Sequence, residues 1–428
     1  MYGALLVMVF FIPYSFALIE ICQVTMIMAW MVKRFLLGKA PVRRGYAQDT
    51  DPVPNSMIGP LIAIGLLIVL TIPFSHDPSL SARKFFSRFL QQVFLMYLVT
   101  QVLDSRKRLY GVLSMLLLTF FLVTVDVMIQ YTWGKSIVHH NSLIFGRVTG
   151  PMNHPNDLGT LLVTVLPVVL ASIIISLKRM PWAGGAIGVL FLLLVSALGL
   201  TASRGAWVAF AVSMVALGIC LKHYKLTVLI ILMLAVFSWV YGVHCLSTRV
   251  DMYGVTSVTP SNIVKPSFIN TSGLPSGFDA LEILFGPSGR EYYWGTAVNV
   301  IKHYPWFGCG YNAYVQTLRD LRVGHEEYPH NSLLHITAEL GIVGLLFYLW
   351  LFVSLCLEGW KAMRRVAWAE DLHVLGGGLS CGILAWMVHS LMDTPWSSLQ
   401  LNILLWLLIG ILMSLGTYYK EEKRGTTA

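Results

Sequence analysis

The sequence predicts an all-α integral membrane protein of about 12 transmembrane helices with one long outer loop that carries short helices of its own. Three observations predict it. Of the 428 residues, 56% are hydrophobic and only 12% are charged, roughly half the charged fraction of soluble domains, and the mean hydropathy is +0.69. Apolar runs close to the ~20 residues needed to cross a bilayer recur along the chain. Lys and Arg collect at the ends of those runs, so the net charge of +9 reports topology and not a nucleic-acid partner.

Residues 1–32 are long for one span and short for two, with Pro13 near the middle. A tight pair of helices breaking around Pro13 to Ser15 is the favoured arrangement, and a lone tilted helix is the alternative. No short basic segment precedes this run, so no cleavable signal peptide is expected. Further spans are expected near 56–73, 85–103, 109–130, 158–177, 183–200, 205–221, 226–244, 332–357, 374–391 and 398–416. The cation-rich connections 33–44, 104–108, 178–179, 222–225, 361–365 and 420–424 then all fall on one face, which the positive-inside bias makes cytoplasmic, with both termini inside. The outer face receives 74–84, 131–157, a tight turn at 201–204, the loop 245–331 and the turn 392–397. The chain divides into an N-terminal bundle 1–244, the outer loop 245–331, and C-terminal helices with a cytoplasmic tail over 332–428. There is no internal repeat and no low-complexity stretch.

Chemistry is to be sought where polar residues stand on the cation-poor face. Arg83, Lys84 and Arg88 open the span near 85–103; Arg147 lies in Gly146-Arg147-Val148-Thr149-Gly150-Pro151; Arg204 lies in Thr201-Ala202-Ser203-Arg204-Gly205; Arg290 lies in the outer loop. An isolated outer Arg can simply be solvated or meet lipid headgroups. Two are placed more pointedly. Ser203 can cap a helix beginning at Arg204. Ser288-Gly289-Arg290-Glu291 fits a capping box, which puts Arg290 in the first turn of a helix running to about His303, before Pro305. A guanidinium beside free helix N–H groups suits phosphate, and two such sites could hold a diphosphate.

His330 stands just outside the helix near 332–357, with Asn331 as its N-cap. A histidine there can act as a general base at neutral pH, or merely complete a turn. His335 and Glu339 lie four apart on one helical face, and an intramembrane carboxylate draws suspicion, although the two can pair for structural reasons alone. The spacing of His325, His330 and His335 matches no common zinc pattern, so no metal is expected. Of the six cysteines, Cys245 and Cys309 flank the loop, where an oxidising compartment would permit a disulfide. The aromatics Tyr292, Tyr293, Trp294, Tyr304, Trp306, Tyr311 and Tyr314 suit an interface belt or a sugar site.

Taken in order, Arg147 with its Gly-rich flank, Thr201 to Gly205, the long loop, Tyr328-Pro329-His330-Asn331-Ser332-Leu333-Leu334 and Glu339-Leu340-Gly341-Ile342-Val343-Gly344-Leu345 resemble the O-antigen ligase and polymerase family. The likeness covers most of the stretch from Arg147 to Gly344. It implies a metal-independent, inverting glycosyltransferase of GT-C type in the bacterial inner membrane, acting on the periplasmic face without a cofactor. The donor would be an O-antigen glycan on undecaprenyl diphosphate, and a ligase would use lipid A–core as acceptor. By the same resemblance, Arg204 and Arg290 would contact the diphosphate and His330 would be the base. Arg147 and Arg88 would be supporting cations, with Asn331 and Glu339 in lesser supporting places.

Two alternatives stay open. A polymerase or a protein O-oligosaccharyltransferase of the same family would differ in acceptor, and the ligase is favoured because no large domain follows residue 416. A transporter of lipid-linked sugars would place polar groups at mid-membrane on repeated, broken helices. Here the cations lie at outer helix ends.

Overall fold

The computed structural model describes residues 1–36, 55–222, 290–322 and 326–425. Its described residues form helices joined by turns, with only two isolated bridges, Lys135 to Ser142 and Ile144 to Arg147. Eight helices among them are long and apolar enough to cross a membrane, and Tyr2–Phe11 and Arg204–Cys220 are shorter apolar helices. The span expected near 226–244 lies outside the described residues.

The N-terminal run is two helices, α1 (Tyr2–Phe11) and α2 (Phe16–Met31). Ser15 caps α2 by accepting from Leu18 N at 3.3 Å. The Pro13 carbonyl left over at the break accepts from Gln400 Nε2 at 2.9 Å. Next comes α3 (Asn55–Thr71). The helix expected near 85–103 starts earlier, as α4 (Pro78–Lys84), because Asp77 caps it through Leu80 N at 2.9 Å. A π-helical stretch, Phe85–Leu90, joins α4 to α5 (Gln91–Val102). Then follow α6 (Arg106–Trp133), α7 (Pro155–Arg179), α8 (Pro181–Leu200) and α9 (Arg204–Cys220).

The outer loop contributes α10 (Arg290–His303), with the bounds that the capping argument expected, and α11 (Tyr314–Leu321). Ser288 and Gly289 of the capping box lie outside the described residues, as does Cys245 and hence its pairing with Cys309. The chain re-enters through α12 (Ser332–Arg365), α13 (Glu370–Ser390) and α14 (Leu399–Gly425).

The packed pair α7 and α13 positions the site. Glycines bring them together: a Cβ on Gly378 would lie 2.8 Å from the Pro167 carbonyl oxygen, and one on Gly382 would lie 2.4 Å from that of Thr164. Without a hydrophobic drive between helices in lipid, such small-residue contacts let dispersion and shape hold the pair. The outer end of α13 therefore abuts the start of α7. Helix α9 packs on both.

Helix α12 is broken at Gly341 (φ +69°, ψ −172°). A break inside a membrane-spanning segment frees backbone groups that must find partners. The outer loop supplies them. Cys309 N donates to the Ala338 carbonyl at 2.9 Å and Gly310 N to that of Glu339 at 3.0 Å, while Ile342 N donates to the Pro305 carbonyl at 2.9 Å. The approach is so close that a Cβ on Gly341 would sit 2.1 Å from the Trp306 carbonyl oxygen.

Candidate functional site

Asn331 caps α12, its Oδ1 accepting from Leu333 N at 2.9 Å and Leu334 N at 3.1 Å. The residue before it, His330, takes a left-handed φ of +48°. That sharp turn at the helix entrance holds the ring against the turn between α13 and α14. There His330 Nδ1 meets Asp393 Oδ1 at 2.9 Å, with the His side chain 26% exposed and the Asp side chain 10%. The same carboxylate oxygen accepts from Thr394 N at 2.8 Å, and the Asp393 carbonyl accepts from Ser332 Oγ at 3.1 Å.

Burial alone would raise the Asp393 carboxyl. The hydrogen bond from His330, the charges of His389 and His330, and the Thr394 N–H overcome it and hold that carboxyl well below the usual carboxylate range. An ionised carboxylate only accepts, so His330 presents a protonated Nδ1 to it and leaves Nε2 for another partner. This is the orientation a general base needs.

Three arginines lie on elements that meet at this end of the bundle. Arg147 is tied down on two sides, Nε donating to the Thr201 carbonyl at 2.7 Å and a terminal nitrogen to Asn156 Oδ1 at 2.7 Å. Its loop is fixed by buried Gln130, whose Oε1 accepts from Thr149 N at 2.9 Å and Gly150 N at 2.7 Å. Arg204 opens α9. Ser203 occupies the N-cap position as expected but makes no capping bond; its hydroxyl instead lies 3.5 Å from His389 Nε2. Buried His389 links three helices, because its Nδ1 also meets Thr160 Oγ1 of α7 at 2.7 Å. Gly205 allows this closeness, since a Cβ there would lie 2.9 Å from Met392 Cβ and 3.3 Å from the His389 ring. Arg290, the first residue of α10, is close enough to act electrostatically on His389. From the same helix, the Tyr293 ring packs edge-on against His330 at 5.6 Å.

The fold also brings in residues that sequence reasoning passed over. His154 caps α7, its Nδ1 accepting from Asn156 N at 3.2 Å, and its ring centre lies 6.4 Å from that of His330. Burial chiefly, with help from Arg147 and His330 and against the pull of Asp393, keeps His154 below its ordinary value. Because Nδ1 accepts from Asn156 N, the ring proton sits on Nε2. Asp157, in the first turn of α7, lies within electrostatic reach of Asp393 and His330. Asp393 was the discoverable one: it is the single carboxylate of the outer turn 392–397.

Two sequence candidates stand elsewhere. Glu339 accepts from Asn312 N at 2.9 Å and Tyr314 N at 3.4 Å, and lies 3.1 Å from His335 Nε2. It holds the start of α11 onto the broken helix. Arg88 has Tyr311, Tyr328 and Glu20 as its electrostatic neighbours, and not the residues around His330.

The arrangement sets a histidine–carboxylate pair at one end of a helical bundle, on elements that adjoin those carrying three arginines. A comparison with curated proteins gives no match. Residues 189–349 match a family model described as O-antigen ligase. The matched stretch takes in Arg204, Arg290, His330 and the broken part of α12, while Arg147 and Asp393 lie outside it. Over that stretch, less than half of its length, the chain is similar to the O-antigen ligase family.

Proposed function

We propose that the protein is an O-antigen ligase, transferring a glycan from undecaprenyl diphosphate to lipid A–core on the periplasmic face of the inner membrane. His330 Nε2 takes the proton of the acceptor hydroxyl as its oxygen attacks the anomeric carbon. The bond from that carbon to the diphosphate breaks, its electron pair leaves with the diphosphate oxygen, and the configuration inverts. Arg204 and Arg290 receive the developing charge, and Arg147 supports them from its fixed position. Preorganised cations of this kind stabilise a leaving group without reorganising at the moment of reaction. Asp393 holds the His330 tautomer and balances the imidazolium. The arrangement of about twelve spans and the GT-C kinship belong to the same proposal.

The observation that carries this reading is the His330–Asp393 contact of 2.9 Å at the entrance of α12. The test is transfer by the purified full chain, given a lipid-linked glycan donor and either lipid A–core or a growing glycan as acceptor, with and without a chelator. Chelator-resistant transfer to lipid A–core supports the ligase. Transfer only to the growing glycan would make it a polymerase, and chelator-sensitive transfer would overturn the metal-free mechanism.

A further inference from the structure

A second cationic site lies on another flank of the bundle. Helices α4 and α5, with the π-helical stretch between them, carry Arg83, Lys84 and Arg88 at their outer end. They pack on α2, α3 and α14, whereas the dyad and Arg204 belong to the end of the bundle where α7, α9 and α13 meet. Lys84 lies within electrostatic reach of Arg83, Arg88 and Glu20, and Arg88 within reach of Glu20, Tyr311 and Tyr328. Three cations face two carboxylates, Glu20 and Asp77, so one positive charge is in excess, and among the described residues no ion pair joins either carboxylate to any of the three. One terminal nitrogen of Arg88 is buried with no hydrogen-bond partner among the described residues. A guanidinium at membrane depth is ordinarily paired, and π-helical turns recur at functional sites.

We propose that Arg83, Lys84 and Arg88 bind a phosphate group of the acceptor glycolipid, at a site separate from the donor diphosphate. The inference rests on the reading of the protein as a transferase with a lipid-anchored acceptor. Arg88 supplies a planar fork for phosphate oxygens, and exposed Arg83 with Lys84 supplies attraction at the headgroup level. Tyr328, beside Arg88, is two residues from His330. A glycolipid held by its phosphate at Arg88 therefore has its sugars directed toward the segment bearing the base, while the donor approaches from the side of Arg204 and Arg290. Two anionic lipids that must react are thus kept on two cation sets.

The test is equilibrium binding to the purified full chain in lipid nanodiscs. The probes are a bisphosphorylated glucosamine-disaccharide glycolipid, its dephosphorylated form, phosphatidylglycerol and the polyprenyl-diphosphate donor. Wild type should bind the phosphorylated glycolipid at least tenfold more tightly than the dephosphorylated form. Arg88→Gln should erase most of that preference, and Arg83→Gln with Lys84→Gln should weaken it even if Arg88→Gln fails to fold. Donor affinity should stay within twofold. Equal binding of the two glycolipids by wild type would overturn the proposal. So would loss of donor affinity in the variants, which would return these cations to the donor, or equal competition by phosphatidylglycerol, which would make the site one for any anionic headgroup. Because the readout is binding, failure of wild type to transfer glycan would count against the proposed function and leave this result standing by itself.

Discussion

Asp393→Asn isolates charge from geometry in the dyad. Asp393 Oδ1 accepts from both His330 Nδ1 (2.9 Å) and Thr394 N (2.8 Å), so an amide oxygen pinned by Thr394 can keep both bonds. What disappears is the negative charge facing the imidazolium that forms as His330 takes a proton. Two unit charges about 4 Å apart at an effective dielectric of about 20 interact by about 4 kcal/mol. At about 1.4 kcal/mol per decade of rate, Asp393→Asn should slow transfer about 10³-fold. Asp393→Ala should be at least as damaging, because it also releases the tautomer. The assay is single-turnover transfer of a labelled glycan by purified protein, with gel filtration and helical content as checks on folding. Transfer by folded Asp393→Asn within fivefold of wild type would refute the reasoning.

Arg204→Lys and Arg290→Lys should each slow transfer about tenfold or more, since a point charge replaces a bidentate fork; undiminished single-turnover rates would remove both from the diphosphate site. Gly341→Ala should lower the thermal midpoint strongly, by more than about 2 kcal/mol in stability, because its Cβ would meet the Trp306 carbonyl at a φ of +69°. Gly185→Ala, with nothing near its Cβ, is the control, and equal melting of the two would contradict the tight docking at the helix break. The pH dependence has a definite sign. Burial holds folded His154 below its ordinary value, so its contribution to stability is complete above about pH 6.5 and is lost as the pH falls through that value. The fall in thermal midpoint from pH 7 to 5.5 should shrink in His154→Asn, which keeps a capping oxygen; an unchanged slope would be against it. Asp393 adds nothing in that window, because a carboxyl held low in the fold loses its contribution only below about pH 4.

Much of this was legible in the sequence, for identifiable reasons. Hydropathy marked the long apolar helices, and local rules found the Asn331 cap, the break near Pro13 and the bounds of α10, because each depends on neighbours in the chain. Asp393 escaped, since its meaning comes from a partner 63 residues away, and His154 looked like part of a loop motif until α7 and α12 brought it beside His330. The break at Gly341 was hidden for a related reason. An apolar run containing Glu339-Leu340-Gly341 passes for continuous helix, and only the glycines of the distant 305–310 turn, docking against it, make the interruption affordable in lipid. Ser203 shows the opposite failure: a residue well placed to cap was taken up by the tertiary contact with His389.

The most direct test of the central claim is the rate of glycan transfer by His330→Ala in purified, folded full-length protein, measured against wild type with the same lipid-linked donor and lipid A–core acceptor. Loss of the base should slow transfer by about 10²–10⁴-fold while donor binding persists. Transfer at the wild-type rate by that variant would contradict the mechanism.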